Sequence, residues 1–259
     1  MNNSDEPSNI NKENIHNLLS EIEDMNKFQS KIQHNIHEIL NLCDLIDSIN
    51  CDLNNFKYLF TLINKEEIFK RHFEKSLVGD LHYKTPKILS RIILTIDKTD
   101  TLGSVLDLGC GTGLFGMEIK NYCSNLEGID LSAKMLEIAS KKNIYHKLKQ
   151  YELIEFLQNE KLNYDYFVAA DVFIYLGNLS QVFNLIRSKN SKSGKLVFST
   201  EHTENDGFHL RKTGRYAHSK KYIEKLCKKY NYTITHFSTS KLRLDEGNFL
   251  IGGLYIIEF

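Results

Sequence analysis

The sequence of 259 residues, 41% hydrophobic and 25% charged, is long and apolar enough for one sizeable domain plus an appendage. Lysine plus arginine equal aspartate plus glutamate at 33 each, so the overall field that attracts a polyanion is missing and a nucleic-acid partner is not expected. No apolar run reaches about 18 residues, and the start lacks the basic and apolar regions of a signal peptide, so we expect a cytoplasmic protein with no membrane partner.

The N-terminal 63 residues are assigned to a helical extension. The first dozen are polar and are expected to be mobile, because they cannot bury enough apolar area to offset the entropy of ordering. Between Ile15 and Ile46, apolar residues recur three and four positions apart, with Gln29 as the one break, which is typical of helices. Such a stripe either packs on the rest of the chain or binds another chain, including a second copy in a homodimer. The first alternative is favoured because the heptads are few and the break is central.

Residues 64–259 carry the alternation of strands and helices expected of an α/β domain. Pro86 suits the first turn of a helix. Short apolar runs then predict strands, and amphipathic segments between them predict helices; the strands are 104–108, 126–129, 166–170 and 195–199, and the helices are 113–121, 133–141 and 179–188. Alternation at this spacing indicates parallel strands with right-handed crossovers. The end differs, because 232–244 and 249–259 flank a short turn and predict an antiparallel hairpin.

Five cysteines occur, an odd number without a C-x-x-C pair: Cys43, Cys51, Cys110, Cys123 and Cys227. This pattern predicts neither a disulfide framework nor a zinc site, and no metal is expected.

A glycine loop, Gly109-Cys-Gly-Thr-Gly113, follows the first predicted strand and leads into a helix. Such a loop brings bare backbone close to a ligand at the carboxyl end of a parallel sheet. A dinucleotide fingerprint would require glycine or alanine at position 114, where Leu114 stands. Asp107 would repel a pyrophosphate but is able to accept hydrogen bonds from an ammonium group. These features favour S-adenosylmethionine over NAD.

Asp130 ends the next strand, where a carboxylate suits a ribose diol. Together with Ser132 it also looks like a plain helix start. Its pairing with the glycine loop favours the ribose.

Three segments, 107–113, 128–136 and 165–171, resemble the motifs of class I S-adenosylmethionine-dependent methyltransferases. Segments 72–86, 169–177 and 214–219 are similar to bacterial methyltransferases described as TPR-associated, akin to the Williams–Beuren-region methyltransferase group. The resemblance runs from about residue 67 to the C-terminus, and the preceding residues show no clear TPR signature. It implies a Rossmann-like core whose mostly parallel, seven-stranded sheet ends in an antiparallel hairpin.

The resemblance also implies roles for individual side chains. The methionine end of the cofactor would meet Asp107, Gly109, Cys110, Gly111 and Gly113, the ribose would meet Asp130, and the adenine would meet Leu131, Met135, Glu152 and Leu153. Glu152 is nearly as well explained as a solvated surface residue. Asp171 would lie under the sulfonium and face the acceptor, and Tyr83 would cover the cofactor.

Candidate acceptor residues follow the later strands. A hydroxyl acceptor needs a base, and histidine suits that role because its pKa lies near working pH. His202 follows the fifth predicted strand, and His218 stands beside Arg215 and Tyr216, where it is equally well explained as a structural histidine. With Asp171 these histidines are the catalytic candidates. Arg215 fits an acid group on the acceptor or a structural ion pair; with Tyr175 and Tyr216 it forms the predicted acceptor site.

Ala170-Asp-Val-Phe173 stands where base-amino and glutamine methyltransferases typically carry Asn-Pro-Pro-Tyr, and no Pro-Cys nucleophile occurs. The sequence therefore predicts methyl transfer to a small or medium-sized metabolite, at oxygen or nitrogen. One alternative is a protein methyltransferase that docks its partner through the N-terminal helices. Another is a non-catalytic assembly factor that binds the cofactor, against which the intact glycine loop argues.

Overall fold

A computed structural model describes residues 83–97, 101–245 and 248–259. The helices are α1 Thr85–Asp97, α2 Leu114–Ile119, α3 Ala133–Lys141, α4 Leu153–Asn159, α5 Ser180–Lys189 and α6 Lys220–Tyr230, with short 3-10 helices at Lys120–Tyr122 and Phe173–Tyr175. The strands are β1 Ser104–Leu108, β2 Asn125–Asp130, β3 Lys147–Gln150, β4 Tyr166–Ala169, β5 Lys195–Thr203, β6 Phe208–Leu210, β7 Tyr216–Ser219, β8 Thr233–Asp245 and β9 Asn248–Glu258.

The sheet combines a parallel body with an antiparallel edge. Strands β3, β2, β1, β4 and β5 lie side by side and parallel. Strand β9 runs antiparallel to β5, and β8 pairs with β9. This arrangement confirms the predicted Rossmann-like fold with its terminal hairpin.

Within the described residues the sheet has nine strands rather than the expected seven. The additional pair is the hairpin of β6 and β7, which follows β5. Strand β6 has only three residues, 208–210, and all are exposed. It therefore lacks the alternation of buried and exposed positions that marks a strand. Strand β3 also lacks such a signal, because its sequence Lys-Leu-Lys-Gln is polar and its ends are exposed.

Helices cover both faces of the sheet, as a parallel sheet requires. On one face, Phe156, Phe183 and Leu226 from α4, α5 and α6 pack on apolar strand residues. On the other, Leu89 of α1 and Phe115 of α2 do the same. The two apolar layers fix the strand ends, and these ends position the site.

Strand β5 extends beyond its neighbour β4. The pairing of β4 with β5 ends at Ala169 and Phe198, whereas Glu201 is paired with Gly252 of β9 on one edge and Ala217 of β7 on the other. The hairpin of β6 and β7 therefore occupies the place past the end of β4. This is the carboxyl edge of the sheet, the edge where the glycine loop lies.

Strand β8 contains a β-bulge. Lys241 pairs with Ile251 and Arg243 pairs with Leu250, so Leu242 is an extra residue. Leu242 and Arg243 are consecutive and both are buried. Bulges re-aim side chains in this way, and here the bulge sends a charged side chain into the interior.

Among the described residues, no helix combines the length and the apolarity needed to cross a bilayer. The same part of the chain holds no group of three or more metal-ligating side chains. Cys110, Cys123 and Cys227 are free thiols. The predicted N-terminal extension, its mobile start, the domain boundary near residue 64 and the homodimer surface lie outside the described residues and stay predictions.

Candidate active site

The glycine loop turns sharply between β1 and α2. Gly109, Gly111 and Gly113 have φ values of 65°, 54° and 86°, in the left-handed region that favours glycine. A Cβ added at Gly109 would lie 2.7 Å from a methyl group of Val172, so a side chain there would clash. A Cβ at Gly111 would meet no described atom within 4 Å. The backbone at Gly111 therefore faces open space, as a loop that receives a ligand must.

Asp130 is fixed at the end of β2 by two backbone N–H groups. Its Oδ2 accepts a hydrogen bond from Gly111 N at 2.8 Å, and its Oδ1 accepts one from Ser132 N at 2.8 Å. Burial raises the pKa of Asp130, and these two bonds oppose the rise. The N-cap of α3 is Ser132, whose Oγ accepts from Met135 N. Asp130 is therefore not the cap, and its carboxylate joins the glycine loop to the residue that caps α3.

Asp107 is almost completely buried at 1% exposure. The hydroxyl of Tyr145 donates a hydrogen bond to its Oδ2 at 2.7 Å. Burial raises the pKa of Asp107 to about 7, Tyr145 acts against this rise, and the nearby charge of Asp130 adds to it. Sequence reasoning missed Tyr145; the signal was the pair Gly116 and Gly128, whose missing side chains make room for its ring.

The predicted adenine contacts lie at the ends of β2 and β3. Leu131, Met135 and Leu153 are partly exposed there. Glu152 is the N-cap of α4, because its Oε2 accepts a hydrogen bond from Glu155 N at 2.8 Å. This structural role accounts for Glu152 without a ligand, so its contact with adenine stays a prediction.

Three charged side chains meet at the ends of β4, β5 and β8, and we call Asp171, Glu201 and Arg243 the ion cluster. Arg243 donates to Asp171 Oδ2 at 2.5 Å and to Glu201 Oε1 at 2.8 Å. Glu201 is 0% exposed and Arg243 is 3% exposed. Asp171 has a left-handed φ of 63°, and its N–H donates to Ser199 Oγ. The structure thus places the predicted Asp171 in an ion pair that the sequence did not reveal.

Sequence reasoning missed Glu201 and Arg243. A charge after the apolar run Leu196–Phe198 was the available signal for Glu201. No signal in the sequence indicated Arg243, because the burial of this residue depends on the bulge in β8.

Two further arginines lie next to the ion cluster. Arg211 donates to His202 O at 2.7 Å, and its Nε lies 3.6 Å from Glu201 Oε2. Burial raises the pKa of Glu201, and the positive charges of Arg243, Arg215 and Arg211 oppose the rise. Arg215 is therefore close to Glu201. Its Nη1 is buried without a hydrogen-bond partner in the part of the chain that the structure describes.

His218 is fully buried and holds the hairpin to the segment after β4. Its Nε2 lies 2.9 Å from Leu176 O and 3.0 Å from Gly177 O, so this nitrogen is the donor. Burial lowers its pKa to about 4. A histidine so placed is neutral and engaged, which favours the structural alternative over the catalytic one.

His202 pairs with an exposed carboxylate, since its Nε2 lies 3.0 Å from Glu204 Oε1. Because neighbouring residues of a strand point to opposite faces, its ring leaves β5 on the face opposite to Glu201. It also lies beside Phe237, with the ring centroids 5.9 Å apart. The structure thus separates His202 from the ion cluster, and its role as a base stays a prediction.

The three predicted tyrosines lie on separate segments around this edge. Burial and the charge of Asp171 raise the pKa of Tyr83. Tyr175 is 61% exposed on the 3-10 helix after β4. Tyr216 begins β7, and its ring lies against Gly177. The contact of Tyr83 with the cofactor and those of Tyr175 and Tyr216 with the acceptor stay predictions.

The sheet order, the terminal hairpin and the glycine loop define a Rossmann-like domain of the S-adenosylmethionine-dependent methyltransferase class. A family model described as a methyltransferase domain matches residues 100–247. Because this match covers more than half of the chain, the protein belongs to that methyltransferase family.

Curated relatives with similar sequences are malonyl-[acyl-carrier protein] O-methyltransferases. The one from Halalkalibacterium halodurans is 32% identical over 152 residues, which cover 53% of this chain and 56% of the relative. The one from Bacillus anthracis is 30% identical over 146 residues, covering 54% of each. The chain thus spans about half the length of the curated relatives it matches.

Solved structures share the fold. An S-adenosylmethionine-dependent methyltransferase from Clostridium acetobutylicum has a TM-score of 0.55 at 17% identity, over 74% of this chain and 97% of that one. The magnesium protoporphyrin IX methyltransferase from Synechocystis, solved with bound S-adenosylmethionine, has a TM-score of 0.51 at 16% identity, over 67% and 78% of the two chains.

Proposed function

We propose that the protein transfers a methyl group from S-adenosylmethionine to a carboxylate oxygen of a small or medium-sized acceptor. The observation that carries the cofactor assignment is the Asp130 carboxylate, fixed by two N–H groups beside a Gly111 backbone that faces open space. A carboxylate with this position at the end of β2 suits a ribose diol.

The residues around the loop fit the remaining parts of the cofactor. Asp107 is the acceptor for the ammonium group, the backbone of 109–113 lines the methionine end, and Leu131 and Met135 offer apolar surface to the adenine. When bound, S-adenosylmethionine supplies an activated methyl group on a sulfonium. The protein then has to bring acceptor and methyl group together in line, and such positioning provides much of the rate.

A carboxylate acceptor agrees with the state of the two histidines. Carboxylates are ionised at neutral pH and need no base to become nucleophilic. His218 and His202 are engaged in other contacts, so a reaction that needs no base suits this site better than transfer to a hydroxyl group.

The charges at the acceptor side also fit an anion. Arg211, Arg215 and Arg243 contribute three positive charges there, and Asp171 and Glu201 contribute two negative charges. The surplus is therefore one positive charge. Arginine matches the planar geometry of a carboxylate, and the relatives' names specify a malonyl group, which carries a free carboxylate.

The proposal also includes the TPR-associated subtype, a cytoplasmic location and a homodimer. An acceptor carried on a protein is the second candidate, because the relatives' names specify an acyl-carrier protein.

Calorimetric titration with S-adenosylmethionine and S-adenosylhomocysteine tests the cofactor site. We expect Asp130→Ala to weaken the binding of both ligands at least about tenfold, which corresponds to the loss of one charge-assisted hydrogen bond. The matched control is Asp165→Ala, which removes a carboxylate at the opposite end of the sheet, where Asp165 binds Ser104. Unchanged binding by folded Asp130→Ala would refute the assignment.

Labelled S-adenosylmethionine tests the acceptor. We expect base-labile label, as a methyl ester gives, on a malonyl thioester or in the small-molecule fraction of the source cells. Label that resists base would contradict carboxylate transfer. Base-labile label found only in the protein fraction would favour the second candidate, an acceptor carried on a protein, over a free small acceptor.

A further inference from the structure

The ion cluster and its neighbours have unused hydrogen-bonding capacity. Asp171 Oδ1, Glu201 Oε2, Arg243 Nε and Arg215 Nη1 are buried, and none has a hydrogen-bond partner among the described residues. Folded proteins satisfy nearly all such groups. Glu201 Oε2 has only a longer ion pair, 3.6 Å from Arg211 Nε. Four such atoms near the carboxyl edge of the sheet therefore indicate a place built for a polar ligand.

Glu201 and Arg215 each have an atom without a hydrogen bond, yet they form no hydrogen bond with each other in the described structure. Strand pairing nevertheless places them close together, because Glu201 pairs with Ala217, two residues after Arg215. Arg243 engages Glu201 Oε1 at 2.8 Å, and Arg211 Nε lies 3.6 Å from Oε2. Two competing cations, of which Arg243 makes the hydrogen bond, thus hold the carboxylate that would otherwise neutralise Arg215.

We propose that Arg243 is a positioning residue that keeps Glu201 away from Arg215, so that Arg215 stays free to bind the anionic group of the acceptor. This inference rests on the proposed function, since it concerns the acceptor of that same reaction. Arg243 itself acts through Glu201.

Arg243 is suited to this task by its anchorage. The bulge at Leu242 directs it inward, and its guanidinium bridges two carboxylates. Asp171 is in turn held by its bond to Ser199. Guanidinium groups are rigid and always charged, so a bridge of this kind keeps its geometry.

The electrostatic consequence differs among three changes: the loss of Arg243, the loss of Glu201 and the replacement of both. Without Arg243, Glu201 is left with Arg211 and Arg215 as its nearest cations and pairs with them. Without Glu201, Arg215 has no carboxylate to compete with the ligand. When both are replaced by glutamine, Glu201 no longer competes for Arg215, and Asp171, Arg211 and Arg215 together leave one positive charge in excess.

The experiment compares four full-length proteins: wild type, Arg243→Gln, Glu201→Gln and the double variant. Each is saturated with S-adenosylhomocysteine, and malonate, a small dicarboxylate, is titrated calorimetrically. We expect Arg243→Gln to weaken malonate binding about tenfold, the loss of one charge-assisted contact. The double variant should return to within about threefold of wild type, and Glu201→Gln should bind at least as tightly as wild type.

Several outcomes overturn the inference. They are wild-type malonate binding by Arg243→Gln, a double variant as weak as Arg243→Gln, and no malonate binding by the wild type. If Arg243→Gln does not fold, weaker binding by Glu201→Gln than by wild type overturns it instead. S-adenosylhomocysteine binding should be the same in all four proteins; its absence from the wild type would refute the proposed function rather than this inference.

Discussion

Asp107 combines deep burial with a proposed ligand role that requires a negative charge. Its pKa of about 7 lies far above the ordinary value of 3.8, because burial penalises the carboxylate more than Tyr145 stabilises it. The protonation of this one side chain therefore changes within the neutral range, and the affinity for an ammonium group should change with it.

We expect the affinity for S-adenosylmethionine to fall as the pH drops below about 7, by up to tenfold per pH unit, because protonated Asp107 no longer accepts from the ammonium group. Tyr145→Phe removes a hydrogen bond that lowers the pKa of Asp107, so the decline should begin at higher pH. Titration from about pH 5.5 to about pH 8.5 measures both, with the exposed Tyr122→Phe as control. A pH-independent affinity would contradict this role.

Residues of the site differ in how far sequence alone predicts them. Asp107 and Asp130 are predictable because Asp107 lies two positions before the glycine loop and Asp130 ends the next strand along the chain. Tyr145, Glu201 and Arg243 are not, because their positions depend on contacts distant in sequence. Tyr145 lies 38 positions from Asp107, and Glu201 lies 42 from Arg243.

At the level of elements, the hairpin of β6 and β7 is the main departure from the predicted sheet. Ser219 anchors it, because its N–H donates to Gly207 O while its Oγ accepts from Gly207 N and from Tyr222 N at the start of α6. His218 ties it to the carbonyls of Leu176 and Gly177. The hairpin is thus fastened to the segment that follows β4.

His218 makes the stability of this connection depend on pH. Its folded-state pKa of about 4 is below the ordinary 6.5, so its contribution is complete above about pH 6.5 and is lost as the pH falls to about 4, a difference of about 3 kcal/mol. His218→Gln keeps a donor but does not titrate. Denaturant unfolding at several pH values should show less acid destabilisation in the variant than in the wild type.

The same variant separates the two hypotheses for this histidine. A structural His218 predicts that His218→Gln retains methyl transfer whenever it is folded. An unaltered pH dependence of stability together with complete loss of transfer would instead support His218 as the base.

At the level of the whole molecule, the sheet divides the site into two halves. In the proposed function, strands β1 and β2 with the glycine loop supply the cofactor half, and β4, β5, β7 and β8 supply the acceptor half. Local patterns predict the first half because its strands are apolar and its loop is short. The second half depends on the pairing of the long β9 with β5 and with β8. It also depends on a bulge in β8 that no residue pattern predicts.

Strands β1 and β2 and the glycine loop lie in 104–130, and Tyr83, predicted to cover the cofactor, also follows the predicted N-terminal extension. We therefore expect a chain that lacks residues 1–63 to bind S-adenosylhomocysteine within about twofold of the full chain. Calorimetric titration of both proteins measures this, and melting curves verify that the shorter chain is folded. A large loss of affinity in a folded, shortened protein would assign part of the cofactor site to the extension.

The way in which β7 joins the overhanging end of β5 has an evolutionary consequence. The junction is made by main-chain pairing at Glu201, His202 and Thr203, and such pairing is largely indifferent to the side chains that line the hairpin. Substitutions and length changes in 204–215 can accumulate while the junction persists. Related proteins can in this way come to differ in substrate specificity while their cofactor sites stay the same.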